Sequence, residues 1–149
     1  MSRGRASVCA VLGLASTLLV GCVASDVPTA PVVTHKVALH DGAWIGAEGG
    51  ELRVGAYSLS FPANALTEAT YIEVRQLNAL DWAVELSPHG IQFNRPVTLT
   101  MDAEDDPGAA AKRIYWFNTD TQTWEAQRSR VSGSAVSAEL MHFSRYTLW

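Results

Sequence analysis

The stretch that decides the fold is Gly49–Pro62, GGELRVGAYSLSFP, which contains two runs of alternating apolar and polar residues. In the first run, Leu52 and Val54 alternate with charged residues. In the second run, Leu59 and Phe61 alternate with serines. Alternation with a period of two is typical of a strand that has one buried side and one wet side. A glycine separates the two runs, so the stretch predicts two strands joined by a turn.

The same alternation recurs along the rest of the chain. Its apolar positions are Ile72 and Val74; Trp82, Val84 and Leu86; Val97, Leu99 and Met101; and Val136, Ala138 and Leu140. Turn-forming residues separate these runs at Pro88–Gly90, Asn94–Pro96, Asp105–Gly108, Asn118–Asp120 and Ser132–Gly133. Several short strands separated by turns predict an all-β fold, an antiparallel β-sandwich. The pattern also predicts that Trp82 lies on a buried face.

Two segments depart from simple alternation. Ile114–Phe117 is apolar at every position, which predicts a central strand covered on both faces. Asn64–Glu68 has local helical character, of a single turn at most.

The N-terminus carries a different pattern. Two arginines precede an apolar run at Val8–Val20, and Leu19–Cys22 reads LVGC, which resembles the lipobox of bacterial lipoproteins. In that signal a peptidase cuts before a cysteine that already carries diacylglycerol. The resemblance implies that residues 1–21 are a signal peptide that is removed and that Cys22 is the lipidated first residue.

The N-terminus has two other interpretations, a transmembrane anchor and an ordinary secretory signal. A transmembrane anchor needs about 20 predominantly apolar residues, whereas the run Val8–Val20 is only thirteen residues long. An ordinary secretory signal would make the position of Cys22 incidental.

The predicted cleavage leaves 128 residues, the size of one domain and a tether. Residues 22–36 contain two prolines and no helical period, so they are predicted to form an extended tether. Residues 37–149 would form the sandwich domain. Val23, in place of aspartate after the lipidated cysteine, favours sorting to the outer membrane of a diderm cell envelope.

Charge and cysteine content exclude several classes of function. Loss of Arg3 and Arg5 leaves nine basic against fifteen acidic residues, a net charge of −6. An acidic chain without a basic cluster is a poor nucleic-acid binder, so no nucleic-acid partner is expected. Cys9 lies in the predicted signal, and Cys22 is committed to lipid, which leaves no disulfide and no cysteine metal site.

An ordered set of short motifs resembles the ZU-five domain, a family named for zonula occludens and uncoordinated-five proteins. The motifs are GGEL at 49–52, LSFPANAL at 59–66, IEV at 72–74, LSPHG at 86–90, FNRPVTL at 93–99, Trp124, and HFSRY at 142–146. The resemblance covers about residues 42–149. Asn64 stands where the family usually has glycine, and asparagine tolerates the left-handed backbone that such a turn needs.

The resemblance implies an interaction module. ZU-five domains bind other proteins and act as scaffolds, so a protein partner is expected, and a catalytic site is not a general property of the family. The chain also has no hydrolase, phosphate-loop or other cofactor motif, so no cofactor is expected.

The triplet His142-Phe143-Ser144 leaves an alternative open. In self-cleaving relatives of the family, the bond between Phe and Ser of such a triplet breaks, with serine as nucleophile and histidine as acid or base. The other interpretation is a terminal strand, with His142 and Ser144 on one face.

The residues also raise two further ligand classes, calcium and sugars. The acidic run Asp102, Glu104, Asp105 and Asp106 has calcium-type oxygen ligands but lacks the calcium-loop spacing, so a solvated loop is the alternative. His35 and His40 are expected at the surface. The tryptophans could stack on sugars, which makes an envelope carbohydrate-binding module the alternative class of function; they are Trp44, Trp82, Trp116, Trp124 and Trp149.

Overall fold

A computed structural model describes residues 39–78, 82–104 and 106–149. The predicted signal peptide, the predicted lipidation site Cys22, the predicted tether and His35 therefore lie outside the described residues. The strands in chain order are β1 (His40–Ile45), β2 (Gly50–Val54), β3 (Tyr57–Phe61), β4 (Thr70–Gln76), β5 (Val84–Ser87), β6 (Gln92–Asp102), β7 (Ile114–Asn118), β8 (Thr123–Ala126), β9 (Ser129–Ser132), β10 (Ala135–His142) and β11 (Arg145–Leu148). No helix within these ranges is long and apolar enough to cross a bilayer.

The strands form two antiparallel sheets that pack against each other, which confirms the predicted sandwich. One sheet has six strands in the order β1-β4-β5-β11-β7-β8. The other has five strands in the order β2-β3-β6-β10-β9. The chain crosses between the sheets several times, so the core is built from residues far apart in sequence.

The alternating apolar residues of both sheets point inward, as the sequence predicts. Leu59 of β3 lies opposite Leu99 of β6, and both are fully buried. Across the core, Ile72 and Leu86 of the other sheet are also fully buried. Each such side chain contributes about 1.5–3 kcal/mol by leaving water, so the two inner faces supply most of the stability.

Three phenylalanines close one part of this core. Phe61, Phe93 and Phe143 meet edge to face, with ring centroids 4.8–6.2 Å apart. All three are at most 4% exposed. Their rings come from β3, β6 and the link between β10 and β11, so the cluster ties together three separate parts of the chain. We call it the inner aromatic cluster.

Trp82 does not lie on a buried face as the alternation predicts. It precedes β5 instead of belonging to it, and it is half-buried against the core, whereas Val84 and Leu86 are fully buried. The alternating pattern starts two residues before regular strand pairing starts, so its first residue, Trp82, lies at the edge of the core.

The turn expected at Asn94–Pro96 lies inside β6. Pairing with β10 is interrupted there, because Leu140 lies opposite Val97 while His142 lies opposite Gln92. The extra residues of β6 form a bulge, and proline, which has no N–H to donate, is tolerated at a bulge. Turn-forming residues therefore mark a bulge here.

The local helix expected at Asn64–Glu68 was also wrong. Asn64 adopts a left-handed φ of 64° in a non-helical turn, the backbone geometry that asparagine tolerates. Among the described residues, the helical segment is instead a single 3₁₀ turn at Ala109–Ala111.

The strand predicted to be covered on both faces is only partly so. Ile114–Phe117 falls in β7, an interior strand next to the sheet edge. Ile114 is buried, but Tyr115, Trp116 and Phe117 are half-buried. Other aromatic side chains, and not a further layer of backbone, cover the outward face of β7.

Candidate binding site

The outer face of the six-stranded sheet carries an unusual concentration of rings. In β7 the inward positions are Ile114 and Trp116, so Tyr115 and Phe117 point outward. Trp124 lies opposite Phe117 on β8 and shares this outer face. Trp149, just past β11, is 61% exposed. Local alternation on neighbouring strands therefore places four aromatic side chains together on one wet surface.

These four side chains contact one another, and we call them the outer aromatic cluster. Trp149 lies between Tyr115 and Trp124, with ring centroids 5.6 Å and 6.0 Å away. Trp124 also meets Phe117 edge to face at 5.3 Å. The guanidinium of Arg145 lies 4.4 Å from the centre of the Phe117 ring, a cation–π contact that covers this end of the cluster.

Next to the cluster is a concave site of about 480 Å³, which we call the tryptophan groove. Its volume lies within the range of about 300–1,000 Å³ that is typical of ligand sites. Trp82, Trp124 and Trp149 provide its aromatic lining, and Asp106, Lys112 and Thr147 provide polar side chains. The groove thus combines flat apolar surfaces with a few hydrogen-bonding groups.

The charged groups of the groove form a pair. Lys112 Nζ lies 2.8 Å from Asp106 Oδ2, and both side chains are largely but not fully shielded, at 27% and 22% exposed. The Lys112 ammonium, together with a 2.8 Å hydrogen bond from the Gly108 N–H, lowers the pKa of Asp106 below its usual value. The pair is therefore fully charged and electrically neutral as a unit near neutral pH.

The middle of the same face is occupied by charged side chains. Arg75 of β4 is ion-paired with Glu85 of β5, and His89 Nε2 lies 3.4 Å from the same carboxylate. This charged strip lies between the outer aromatic cluster and a second exposed pair on β1 and β4, Trp44 and Tyr71, whose rings are 5.6 Å apart. Trp44 is 71% exposed, so it forms a separate patch.

The described residues of the acidic run, Asp102, Glu104 and Asp106, do not form a common group of ligands. Asp102 accepts a hydrogen bond from Ser134 Oγ, and Asp106 faces Lys112. Glu104 is exposed, and Asp105 lies outside the described residues. No group of three His, Cys, Asp or Glu side chains able to hold a metal occurs in the parts of the chain that the structure describes.

His40 is exposed, as predicted, and its Nε2 lies 2.6 Å from a carboxylate oxygen of Glu73.

The triplet His142-Phe143-Ser144 is not the closing strand that the sequence left as one interpretation. His142 ends β10 in one sheet and Arg145 begins β11 in the other, so the triplet is the crossing between sheets. Phe143 belongs to the inner aromatic cluster. His142 and Ser144 do not share a strand face, because the backbone leaves the strand between them.

Hydrogen bonds hold this crossing in place. The Ser144 hydroxyl donates to the Phe117 carbonyl at 2.9 Å, and the Leu86 N–H donates to the Ser144 carbonyl at 3.0 Å. Tyr146 donates to the His142 carbonyl at 2.7 Å, and burial raises the pKa of that phenol well above its usual range. The His142 ring packs edge-on against Trp116, and its Nδ1 is 3.5 Å from the Phe143 carbonyl oxygen. The Ser144 hydroxyl is thus engaged by the fold.

The five tryptophans named from the sequence separate into three groups. Trp116 faces the core, Trp44 forms the exposed pair with Tyr71, and Trp82, Trp124 and Trp149 line the groove. Sequence reasoning missed Tyr115 and Phe117, although their alternation with Ile114 and Trp116 is a usable signal. It also missed Thr147, which strand pairing brings to the site, and Lys112, which the loop between β6 and β7 places beside Asp106.

Comparison with known proteins gives no family for this chain. No protein-family model matches it, and no curated protein matches it.

Proposed function

We propose that this protein is a non-catalytic binding module, held at the bacterial cell envelope by lipid on Cys22. The LVGC motif after a short apolar run supports the anchor. The lipoprotein modification adds several acyl chains, which suits stable attachment because a single chain binds only marginally. The net charge of −6 after cleavage offers no attraction to anionic lipids, so the lipid itself would hold the protein.

The observation that carries the binding role is the outer aromatic cluster. Trp149 exposes 61% of its surface while it contacts Tyr115 and Trp124. Tryptophan and tyrosine are enriched in the energetically dominant parts of interfaces, where their rings leave water on binding. An organised set of rings on a wet sheet face is therefore a fitting surface for a partner.

The ZU-five resemblance supports the same class of function, because that family binds proteins and serves as a scaffold.

The proposal leaves out self-cleavage at Phe143–Ser144. Nucleophilic attack would require the Ser144 hydroxyl to leave the Phe117 carbonyl and turn to the neighbouring Phe143 carbonyl carbon. The engaged hydroxyl favours a structural role for the triplet.

The anchor is tested by metabolic labelling of cells with a palmitate analogue. We expect label on the full chain, none on the Cys22→Ala variant, and label in the outer-membrane fraction of a diderm host. Label that persists in Cys22→Ala would contradict the anchor. For the sorting signal, Val23→Asp should move the protein to the inner membrane.

The binding role is tested by photo-crosslinking in intact cells. We would replace Trp149 with p-benzoylphenylalanine, and replace Ser60 in a matched control. Ser60 is exposed on the outer face of the five-stranded sheet, where its cross-strand neighbours are Glu51 and Thr98. We expect envelope adducts from position 149 and few from position 60. Equal yields at both positions, or none at either, would refute the proposed binding face.

A further inference from the structure

We propose that the tryptophan groove binds a neutral saccharide, presented by a glycan of the envelope. This inference rests on the proposed function and assigns a ligand class to the same face. The groove adjoins the outer aromatic cluster and shares Trp124 and Trp149 with it. Because the groove is concave, it can contact a small unit from more than one side, which the flat sheet surface cannot do.

The lining matches the two-sided chemistry of a sugar ring. A saccharide has faces of C–H bonds, polarised by the neighbouring oxygens, and an edge of hydroxyls. The negative face of an aromatic ring attracts such polarised C–H bonds. Trp149 is the most exposed of the groove tryptophans, and Trp82 and Trp124 are half-buried in fixed positions beside it. Rings already held by packing lose little freedom when a ligand binds.

The polar groups of the groove suit hydroxyls. Asp106 is a carboxylate with several lone pairs, and Lys112 is an ammonium with three N–H donors. Their mutual 2.8 Å contact and the bond from Gly108 use only part of this capacity. A hydroxyl, which both donates and accepts, can bind either partner without breaking the pair.

The charge balance argues for a neutral ligand. Because Asp106 and Lys112 are paired, the groove presents no net charge from these two residues. The Asp106 carboxylate would repel an anionic ligand bound at Lys112, and the Lys112 ammonium would repel a cationic ligand bound at Asp106. A neutral ligand avoids both costs, and an uncharged saccharide combines that neutrality with hydroxyls and an apolar face.

The test uses the full chain in detergent and two uncharged probes, the N-acetylglucosamine tetramer and cellotetraose. Tryptophan fluorescence is followed during titration with each probe. We expect a saturable shift with at least one probe and at least a tenfold weaker affinity in Trp149→Ala. Trp44→Ala is the matched control, because Trp44 is also well exposed, at 71% against 61% for Trp149, but lies outside the groove. The affinity of this variant should be unchanged.

Near-ultraviolet circular dichroism confirms that each variant is folded. No shift with either probe, or a shift that persists in a Trp124→Ala, Trp149→Ala double variant, would overturn the saccharide assignment. If the crosslinks from position 149 still form and migrate as discrete protein adducts, the binding face stands and its ligand is a protein. If crosslinks and titrations both fail, the proposed function fails as well.

Discussion

The protein contains two aromatic clusters with similar ring geometry and opposite relations to water. In the inner cluster, three phenylalanine rings lie 4.8–6.2 Å apart and are at most 4% exposed. In the outer cluster, neighbouring rings lie 5.3–6.0 Å apart, yet Trp149 is 61% exposed. Ring contacts alone therefore do not separate a structural cluster from a binding surface. The exposure of the side chains to water distinguishes the two clusters.

The side-chain types differ in a way that fits this division. The inner cluster consists of phenylalanine, which has no polar atom to satisfy when it is buried. The outer cluster contains Tyr115, Trp124 and Trp149, whose O–H and N–H groups favour positions with one wet side. From this contrast we expect substitutions in the inner cluster to act on stability and substitutions in the outer cluster to act on binding.

The largest effect is expected from Phe143→Ala. Removing a fully buried phenylalanine costs about 3–5 kcal/mol, out of a total stability of about 5–15 kcal/mol. Phe143 contacts both other rings of the inner cluster and lies at the crossing between sheets. Urea denaturation of the full chain measures the loss. Trp44→Ala is the control and should change the free energy of unfolding by less than about 0.5 kcal/mol. An unchanged midpoint for Phe143→Ala would show that the inner cluster does not hold the fold.

Much of the inner cluster's surroundings could be predicted from the sequence. Leu59, Leu99 and Leu140 each lie in strands with one buried and one wet side, so a period of two identifies them. Such a pattern is local, so it can be recognised in the sequence without knowing which strand pairs with which. The turn expected at Asn94–Pro96 failed because the same residues also favour a bulge, and only the pairing with β10 decides between the two.

The outer cluster could not be predicted in the same way. Ile114–Phe117 is apolar throughout, and that pattern is the same whether the second face is covered or wet. Trp149 reaches Tyr115 and Trp124 only because β11 and β8 flank β7, which is a long-range arrangement. The groove adds Asp106 and Lys112, whose pairing depends on the loop between β6 and β7. Topology, more than residue type, creates the candidate site.

A smaller effect is expected from Trp82→Ala, at the boundary between the two kinds of cluster. Trp82 is half-buried against the core and lines the groove. The substitution should lower the free energy of unfolding by about 1.5–2.5 kcal/mol, roughly half the value for a fully buried ring. Denaturation and saccharide titration of the same variant separate the two roles. A loss as large as that of Phe143→Ala would mean that Trp82 acts as a fully buried core residue, as the alternation of the sequence predicts.

A still smaller effect is expected from Ser144→Ala, which removes a link between the two clusters. Its hydroxyl donates to the carbonyl of Phe117, an outer-cluster residue, while its neighbour Phe143 is in the inner cluster. Loss of one such hydrogen bond costs about 1 kcal/mol. Intact-mass measurement after incubation at neutral pH should show that both the wild type and Ser144→Ala still contain residues 144–149. A product missing residues 144–149 in the wild type alone would show that the serine acts as a nucleophile.

The smallest effect is expected from Asp106→Asn, which alters the polar part of the groove and leaves both aromatic clusters intact. The pKa of Asp106 is lowered in the folded state, chiefly by Lys112, so its ionised form stabilises the fold. That contribution is fully present above the ordinary pKa of an aspartate, about 3.9, and is lost as the pH falls through the lowered folded value. The wild type should therefore unfold at a higher urea concentration than Asp106→Asn at pH 7, and the difference should shrink below pH 4.

Asparagine keeps an oxygen to accept the Gly108 N–H, so the comparison isolates the charge. A difference that stays constant down to pH 2 would mean that the ion pair with Lys112 contributes nothing, and that the neutrality of the groove has another origin.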